Sequence, residues 1–489
     1  MINSRPARTR IAPSPTGYMH IGTLRTALFD YFLARQTGGQ FVIRVEDTDQ
    51  TRLVEGATED LLTMFGRVGI DYDEGPVVNA DGSITEKGEY GPYVQSKRLH
   101  LYRPYVDQLI QQGDAYPCFC TKERLDEMRE QQRATKQTPK YDRQCSALSQ
   151  KDASERMALG EAYVIRLKVP EGETVFEDAV RGTVKVDNAD VDDQVLLKSD
   201  GFPTYHMAVV VDDELMKITH ILRGEEWLSS TPKHIMLMKM LGFSQPTFAH
   251  VPLLLNADKT KLSKRQGDVA VEDYLKNGYL PEALLNFVGT LGYNPTGDRE
   301  VYELQELINL FDLSKVKKSG AVMNMEKLDW MNQQYLKGLG LDELAQAAEV
   351  FVDVDVSNPM IKRALFIERE RVHRLTEFSD AIAPYLSHAT PSAEMLTWKK
   401  ADAADAKKQL LGVRAVIESM PSDVFDEISY IEDRLKGYIA DNGLQNGNVL
   451  WPLRVALSGR ERSAGPFDLL WVFGREESLR RIDTALAVL

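Results

Sequence analysis

The sequence predicts a multidomain protein of mixed class: an α/β domain with a parallel sheet, followed by an all-α C-terminal region. Three observations predict it. Residues 9–46 read as strand, helix and strand; buried strand-like runs return after residue 205, beyond a segment of different character; and past Val269 the apolar residues recur at helical spacing almost to the end. At 489 residues the chain exceeds the size at which a single core keeps growing, so two to four domains are expected.

Ile11 and Ala12 begin a short apolar strand, and a loop with Pro13, Pro15 and Gly17 leads to a helix opening at His20-Ile21-Gly22-Thr23. A loop that brings an imidazole, a glycine and a hydroxyl to a helix N-terminus suits phosphate, because free N–H groups and the positive dipole end attract anions. An ordinary turn before an ordinary helix has the same local pattern. After a helix over about Thr23–Gln36, the β-branched run QFVIRVE (Gln40–Glu46) reads as a buried strand ending on a carboxylate. Such a βαβ unit is right-handed and places ligands at the carboxyl ends of its strands. The loop after Ile11 and Glu46 both belong there.

Lys97–Gln112 reads as a helix interrupted only by Pro104, and Gly113 marks a change of character. The segment 113–205 holds YPCFC, a polar helix to about Thr138, KYDRQC, and the strands VIRLKV and TVKVDN. It reads as an insertion. Ala208–Asp213 (AVVVDD) and Thr219–Trp227 (THILRGEEW) then resume strand character, and DKTKLSKRQGD is a dense basic loop. Helical patterns follow at about Leu280–Leu291, Leu304–Leu310, Glu326–Leu336, Leu341–Val352, Lys362–Glu377, Ala401–Glu418 and Val424–Asn442.

Lys and Arg number 59 against 73 Asp and Glu, a formal charge of −14, which argues against generic nucleic-acid binding but not against a selective binder with a local basic face. No run of about 18 apolar residues and no secretory-type leader is present, so a cytoplasmic protein without membrane attachment is expected. Three cysteines in so long a chain do not make a disulfide scaffold.

Lys259, Lys261, Lys264 and Arg265 crowd seven residues around Ser263. Such a cluster is either a solvated loop or a cationic clamp on a triphosphate. Taken with His20-Ile21-Gly22-Thr23, KLSKR resembles the KMSKS motif and HIGT the HIGH motif of class I aminoacyl-tRNA synthetases. TRIAPSPTGYMHIGT, RVEDTD, PTYH, LRGEEW, DKTKLSKR, LDWMN and WPLRVALSG, in order along the whole chain, resemble the bacterial glutamyl-tRNA synthetase family. That resemblance implies ATP-dependent attachment of glutamate to its tRNA through a glutamyl-adenylate, by a monomer. It also implies a Rossmann-like catalytic domain in two halves (1–112 and 206–265, the latter carrying the KLSKR loop) around an acceptor-end-binding insertion at 113–205. A helical stem-contact domain at 266–340 and two helical anticodon-binding subdomains at 341–389 and 390–489 would follow.

Glutamate carries two carboxylates and an ammonium, so its pocket needs two cationic forks and an anion. Arg10 and Arg223 are the natural forks and Glu46 the partner of the ammonium. Arg223 is expected on the side-chain carboxylate, which distinguishes glutamate from glutamine. The resemblance adds Ala12, Ser14 and Tyr205, and Val209 stands where the family often has Asn. For ATP, it implies His20 and Gly22 at the phosphates, Thr23 in place of a second His, Glu226 and Leu254 at the nucleoside, and Lys261, Ser263, Lys264 and Arg265 in the mobile clamp. His20, Lys261 and Lys264 are the catalytic candidates; Mg²⁺ is expected with ATP. Cys118, Cys120 and Cys145 have the look of a zinc site lacking one ligand; Ala147 stands where relatives carry a His, and Tyr141 is the candidate fourth ligand. A metal-free remnant is the alternative. Arg371, on a charge-alternating helix, is the candidate anticodon contact. A neutral amide substrate fits poorly beside Arg223, and a small-molecule nucleotidyltransferase would not explain the long helical region. A synthetase that also charges the glutamine tRNA remains open on sequence.

Overall fold

The computed structural model describes residues 6–262, 269–399 and 401–489. The chain divides into two compact units, residues 1–274 with 284–325, and residues 275–283 with 326–489.

In the first unit, strands Arg8–Ile11 and Gln40–Ile43 pair in parallel, with Arg10 opposite Val42, and helix Ile21–Gln36 connects them. This helix is buried on nearly every side, with Arg25, Thr26 and Asp30 buried beside its apolar residues. Thr219 ties Arg8–Ile11 to the next strand: its Oγ1 accepts the Arg8 N–H at 2.8 Å and its own N–H donates to the Arg8 carbonyl at 2.9 Å. Strand His220–Gly224 then runs parallel to Thr247–Val251, with Arg223 opposite His250. The carboxyl ends of these strands meet at one edge, where the parallel topology places a ligand.

Two features differ from the sequence expectation. Ala208–Asp213 is not a strand but lies within helix Tyr205–Leu215. The run is buried throughout, so apolar periodicity could not separate strand from helix, and β-branched residues favoured the wrong one. The segment 113–205 does contain a separate antiparallel sheet of Ala115–Cys118, Val164–Leu167 and Val195–Leu197. Its hairpin Glu173–Asp178/Gly182–Asp187, however, joins the parallel sheet, with Asp178 paired in parallel to Phe248.

The second unit is helical. An apolar core that includes Leu344, Phe378, Leu410, Leu435, Leu453 and Ile482 is shared among its helices. Here Lys362–Glu377 is not one helix. Helix Pro359–Glu368 stops, a turn follows, and a short 3₁₀ segment covers Leu375–Glu377. Val372 and Leu375 turn into the core, and the charged side chains take separate partners: Arg363 on Asp426, Arg369 on the Leu339 carbonyl and Arg374 on Glu377. Among the described residues no helix is long and apolar enough to cross a membrane.

Candidate active site

A cavity of about 820 Å³ opens at the carboxyl edge of the parallel strands. Arg10, Ala12, Ser14, Glu46, Tyr205 and Arg223 line it, and so do His20, Gly22, Thr23, Glu226, Leu254 and Lys261. Ser263, Lys264 and Arg265 lie outside the described residues.

His20 is the N-cap of helix Ile21–Gln36, and its Nδ1 accepts the Gly22 N–H at 2.9 Å. That bond leaves the proton of the neutral ring on Nε2. A Cβ at Gly22 would crowd this ring, at 3.1 Å from His20 Nδ1. The helix entrance is fixed by short backbone bonds, the Ile21 N–H to Val269 and the Val271 N–H to Met19.

On the opposite wall lies a buried chain of charges. Arg10 donates from Nε and Nη2 to Asp213, at 3.2 and 3.4 Å. Arg44 donates to Asp213 at 2.6 Å and to Glu46 at 2.9 Å. Burial opposes the charge of Arg10, but Asp213, together with Asp30 and Tyr205, outweighs it and the pKa of Arg10 rises. Burial pushes the Glu46 carboxyl above its ordinary value, opposed by Arg44. Arg44 and Asp213 were not singled out in the sequence. Arg44 sits two residues before Glu46 in RVED, so it shares the alternating face of the strand end, and that spacing was the available signal.

Arg223 is the exception in this network. Its guanidinium is buried, and every hydrogen-bond partner it has among the described residues is neutral or neutral-capable. Nε donates to His250 Nε2 at 3.0 Å, Nη1 to the Tyr205 hydroxyl and His234 Nδ1 at 3.2 Å each, and Nη2 to Thr231 Oγ1 at 2.8 Å. Burial lowers its pKa, and it forms no salt bridge among the described residues. Since guanidinium only donates, both imidazoles must present a bare nitrogen to it. His234 therefore carries its proton on Nε2, directed to His206 Nδ1 at 3.1 Å, and His250 carries its own on Nδ1, directed to Asp178 at 2.6 Å. Burial, reinforced by the Arg223 charge, holds His234 well below the ordinary histidine value. Trp227, also missed, packs against Tyr205 with ring centres 4.4 Å apart and planes tilted by 35°. Its place in LRGEEW was the only hint.

The described sequence matches the family model of the class I tRNA synthetases (E and Q), catalytic domain, over residues 6–330, and the anticodon binding domain over residues 341–486. The chain belongs to the class I tRNA synthetases. A glutamate–tRNA ligase of Clostridioides difficile is 42% identical over 97% of this synthetase and 98% of its own length. One from Prosthecochloris aestuarii is 44% identical over 97% and 96%. The crystal structure of a glutamate tRNA ligase from Elizabethkingia meningosepticum, in complex with its amino acid, aligns with a TM-score of 0.84 at 32% identity, covering 99% of this chain and all of that one (100%).

Away from the cavity, Cys118, Cys120 and Cys145 bring their sulfurs within 4.8 Å of one another. The Tyr141 hydroxyl lies 3.3 Å from both Cys118 Sγ and Cys120 Sγ and accepts the Cys145 N–H at 3.0 Å. Cys120 and Cys145 are 3.6 Å apart, close to the ~3.8 Å edge of a tetrahedron with Zn–S bonds of about 2.3 Å. In the second unit of this synthetase, Arg371 bonds Glu368 at 2.7 Å and lines a cavity of about 290 Å³ together with Tyr385, Arg460, Arg462 and Phe473.

Proposed function

We infer that this chain is a glutamate–tRNA ligase, which activates L-glutamate with ATP and transfers it to the 3′ end of its tRNA. The observation that carries the reading is the buried Arg223, a guanidinium held by neutral groups with no carboxylate against it among the described residues, in one cavity with His20 and Glu46. A buried cation without a counter-ion is costly unless a ligand supplies the charge. The γ-carboxylate of glutamate supplies it; the amide of glutamine does not, and its NH₂ would face guanidinium donors. Glu46 takes the ammonium, and Arg10, already aligned by Asp213, holds the second carboxylate.

In the first step an oxygen of the α-carboxylate attacks the α-phosphorus of ATP. The bond to the bridging oxygen breaks, and pyrophosphate leaves. In the second, a terminal ribose hydroxyl of tRNA attacks the acyl carbon, and AMP leaves. His20 Nε2–H and the start of helix Ile21–Gln36 stand where phosphate charge is held, and Lys261 with the KLSKR residues neutralises the charge that builds in the transition state. Mg²⁺ accompanies ATP. No side chain acts as a nucleophile, so the acceleration comes from positioning and charge.

The three thiols and the phenol hydroxyl fit zinc in number, donor type and spacing. Cys118, Cys120, Tyr141 and Cys145 would hold the ion, which would tie the end of strand Ala115–Cys118 to the 3₁₀ turn Gln144–Ala147. The Arg371 cavity, ringed by cationic and aromatic side chains, suits an unstacked anticodon base.

Aminoacylation with purified glutamate and glutamine tRNAs tests the reading, together with pyrophosphate exchange in the presence and absence of tRNA. Glutamate is expected to be charged. Charging of glutamine and not glutamate would overturn it.

A further inference from the structure

The structure assigns Asp178 and His250 as positioning residues that fix the orientation of the Arg223 guanidinium, and through it the preference of the pocket for a side-chain carboxylate. This rests on the reading that Arg223 binds that carboxylate. Neither residue lines the cavity, and neither would touch substrate.

The arrangement follows from where each proton must sit. Asp178 ends strand Glu173–Asp178, beside Phe248. Its Oδ1 accepts the N–H groups of Val180 and Arg181, at 3.0 and 2.8 Å. Its Oδ2 accepts the His250 N–H at 3.1 Å and the ring Nδ1–H at 2.6 Å. Both side chains are buried, His250 fully. With the proton held on Nδ1, Nε2 is bare and receives Arg223 Nε–H at 3.0 Å. The carboxylate thus sets the tautomer, and the tautomer sets the edge that Arg223 can dock. The negative charge of Asp178 also stays one ring away from the guanidinium, so it orients Arg223 without neutralising it. That differs from Arg10, which Asp213 contacts directly.

Asp178→Asn separates these roles. The Asn oxygen must replace Oδ1 to satisfy the two N–H groups of the turn, which puts its NH₂ where Oδ2 faced the ring. The amide then donates to Nδ1, the imidazole proton moves to Nε2, and two donors confront each other where Arg223 now docks. The KM for glutamate is expected to rise at least about fivefold, with kcat and the KM for ATP held within about twofold, since Arg223 binds ground state and transition state alike. Long-range ¹H–¹⁵N spectra of histidine-labelled protein should report the His250 tautomer changing from Nδ1–H to Nε2–H.

His250→Leu removes the acceptor and is expected to raise the glutamate KM, whereas His250→Gln restores an oxygen acceptor for Arg223 Nε and is expected to bring it back near wild type. On the His250→Gln background Asp178→Asn should add nothing, because the coupling passes through the ring. An equal effect of Asp178→Asn with and without the imidazole would overturn the inference. So would a raised KM with the tautomer unchanged, or a wild-type KM in His250→Leu. Arg223→Ala separates the two levels: if it leaves the glutamate KM unchanged, the reading of Arg223 itself is wrong; if it raises KM while Asp178→Asn and His250→Leu do not, only the positioning assignment fails.

Discussion

Arg223→Ala is the sharpest perturbation of the site. The side chain now makes bonds of 2.8–3.2 Å to Thr231, His250, Tyr205 and His234, and meets no carboxylate among the described residues. Binding the γ-carboxylate adds a charge-assisted hydrogen bond from the one Nη2–H that these four bonds leave over, in a site removed from water. A hydrogen bond to a charged group is worth about 1.5–3 kcal/mol, so its loss should raise the KM for glutamate about ten- to a hundredfold. Glutamine, which meets the guanidinium with an amide, should lose far less, and the preference for glutamate should shrink by the same order. Arg223→Lys keeps the charge but not the fork and should fall between. Pyrophosphate exchange with saturating ATP and tRNA, titrated separately with glutamate and glutamine, measures both quantities. A glutamate KM within about threefold of wild type, with an unchanged KM for ATP and an intact circular-dichroism spectrum, would refute the reasoning.

Metal analysis of the purified protein is expected to find stoichiometric zinc that Cys145→Ser loses; absence of metal from wild type expressed with added zinc would favour the remnant. Arg371→Ala should raise the KM for tRNA about tenfold while leaving those for glutamate and ATP in place, as loss of one base-contacting arginine does; steady-state aminoacylation reads all three. Burial holds His206 down at about 3, against an ordinary value of 6.5. Between those values the unfolded chain binds a proton that the native chain refuses, so this histidine makes stability rise with pH, by up to about 1.4 kcal/mol per unit. Its contribution is complete above pH 6.5 and is lost on acidification toward 3. Urea midpoints at pH 7 and 5 should therefore fall more steeply for wild type than for His206→Gln.

Much of the site could be read from the chain because its chemistry lies in contiguous motifs. His20, Gly22 and Thr23 share one helix entrance, and Glu46 closes a strand whose β-branched run is unmistakable. The partners that make those residues work come from elsewhere. Asp213 reaches Arg10 across 203 positions, and Asp178 reaches His250 across 72. No local period encodes such pairings. The misreading of Ala208–Asp213 has the same root: a segment buried on all sides shows neither a period of 2 nor one of 3.6. It also concealed Asp212 and Asp213 near the end of a helix, where Asp212 receives Arg98 at 2.6 Å and Asp213 joins the two arginines. In the second unit, alternating charge suggested a continuous helix, but the apolar pull of Val372 and Leu375 decided where the chain turned.

The hairpin Glu173–Asp178/Gly182–Asp187 means that the segment 113–205 is not a detachable cassette. Cutting it out, or grafting in the equivalent segment of a related enzyme at its sequence ends, would strip the neighbour from Thr247–Val251 and leave that strand with a bare edge, an invitation to intermolecular pairing. A chimaera designed to exchange this segment should therefore keep the host's residues 173–187 and place its junctions outside them. Modularity in this enzyme follows hydrogen-bond ladders, not the order of the sequence.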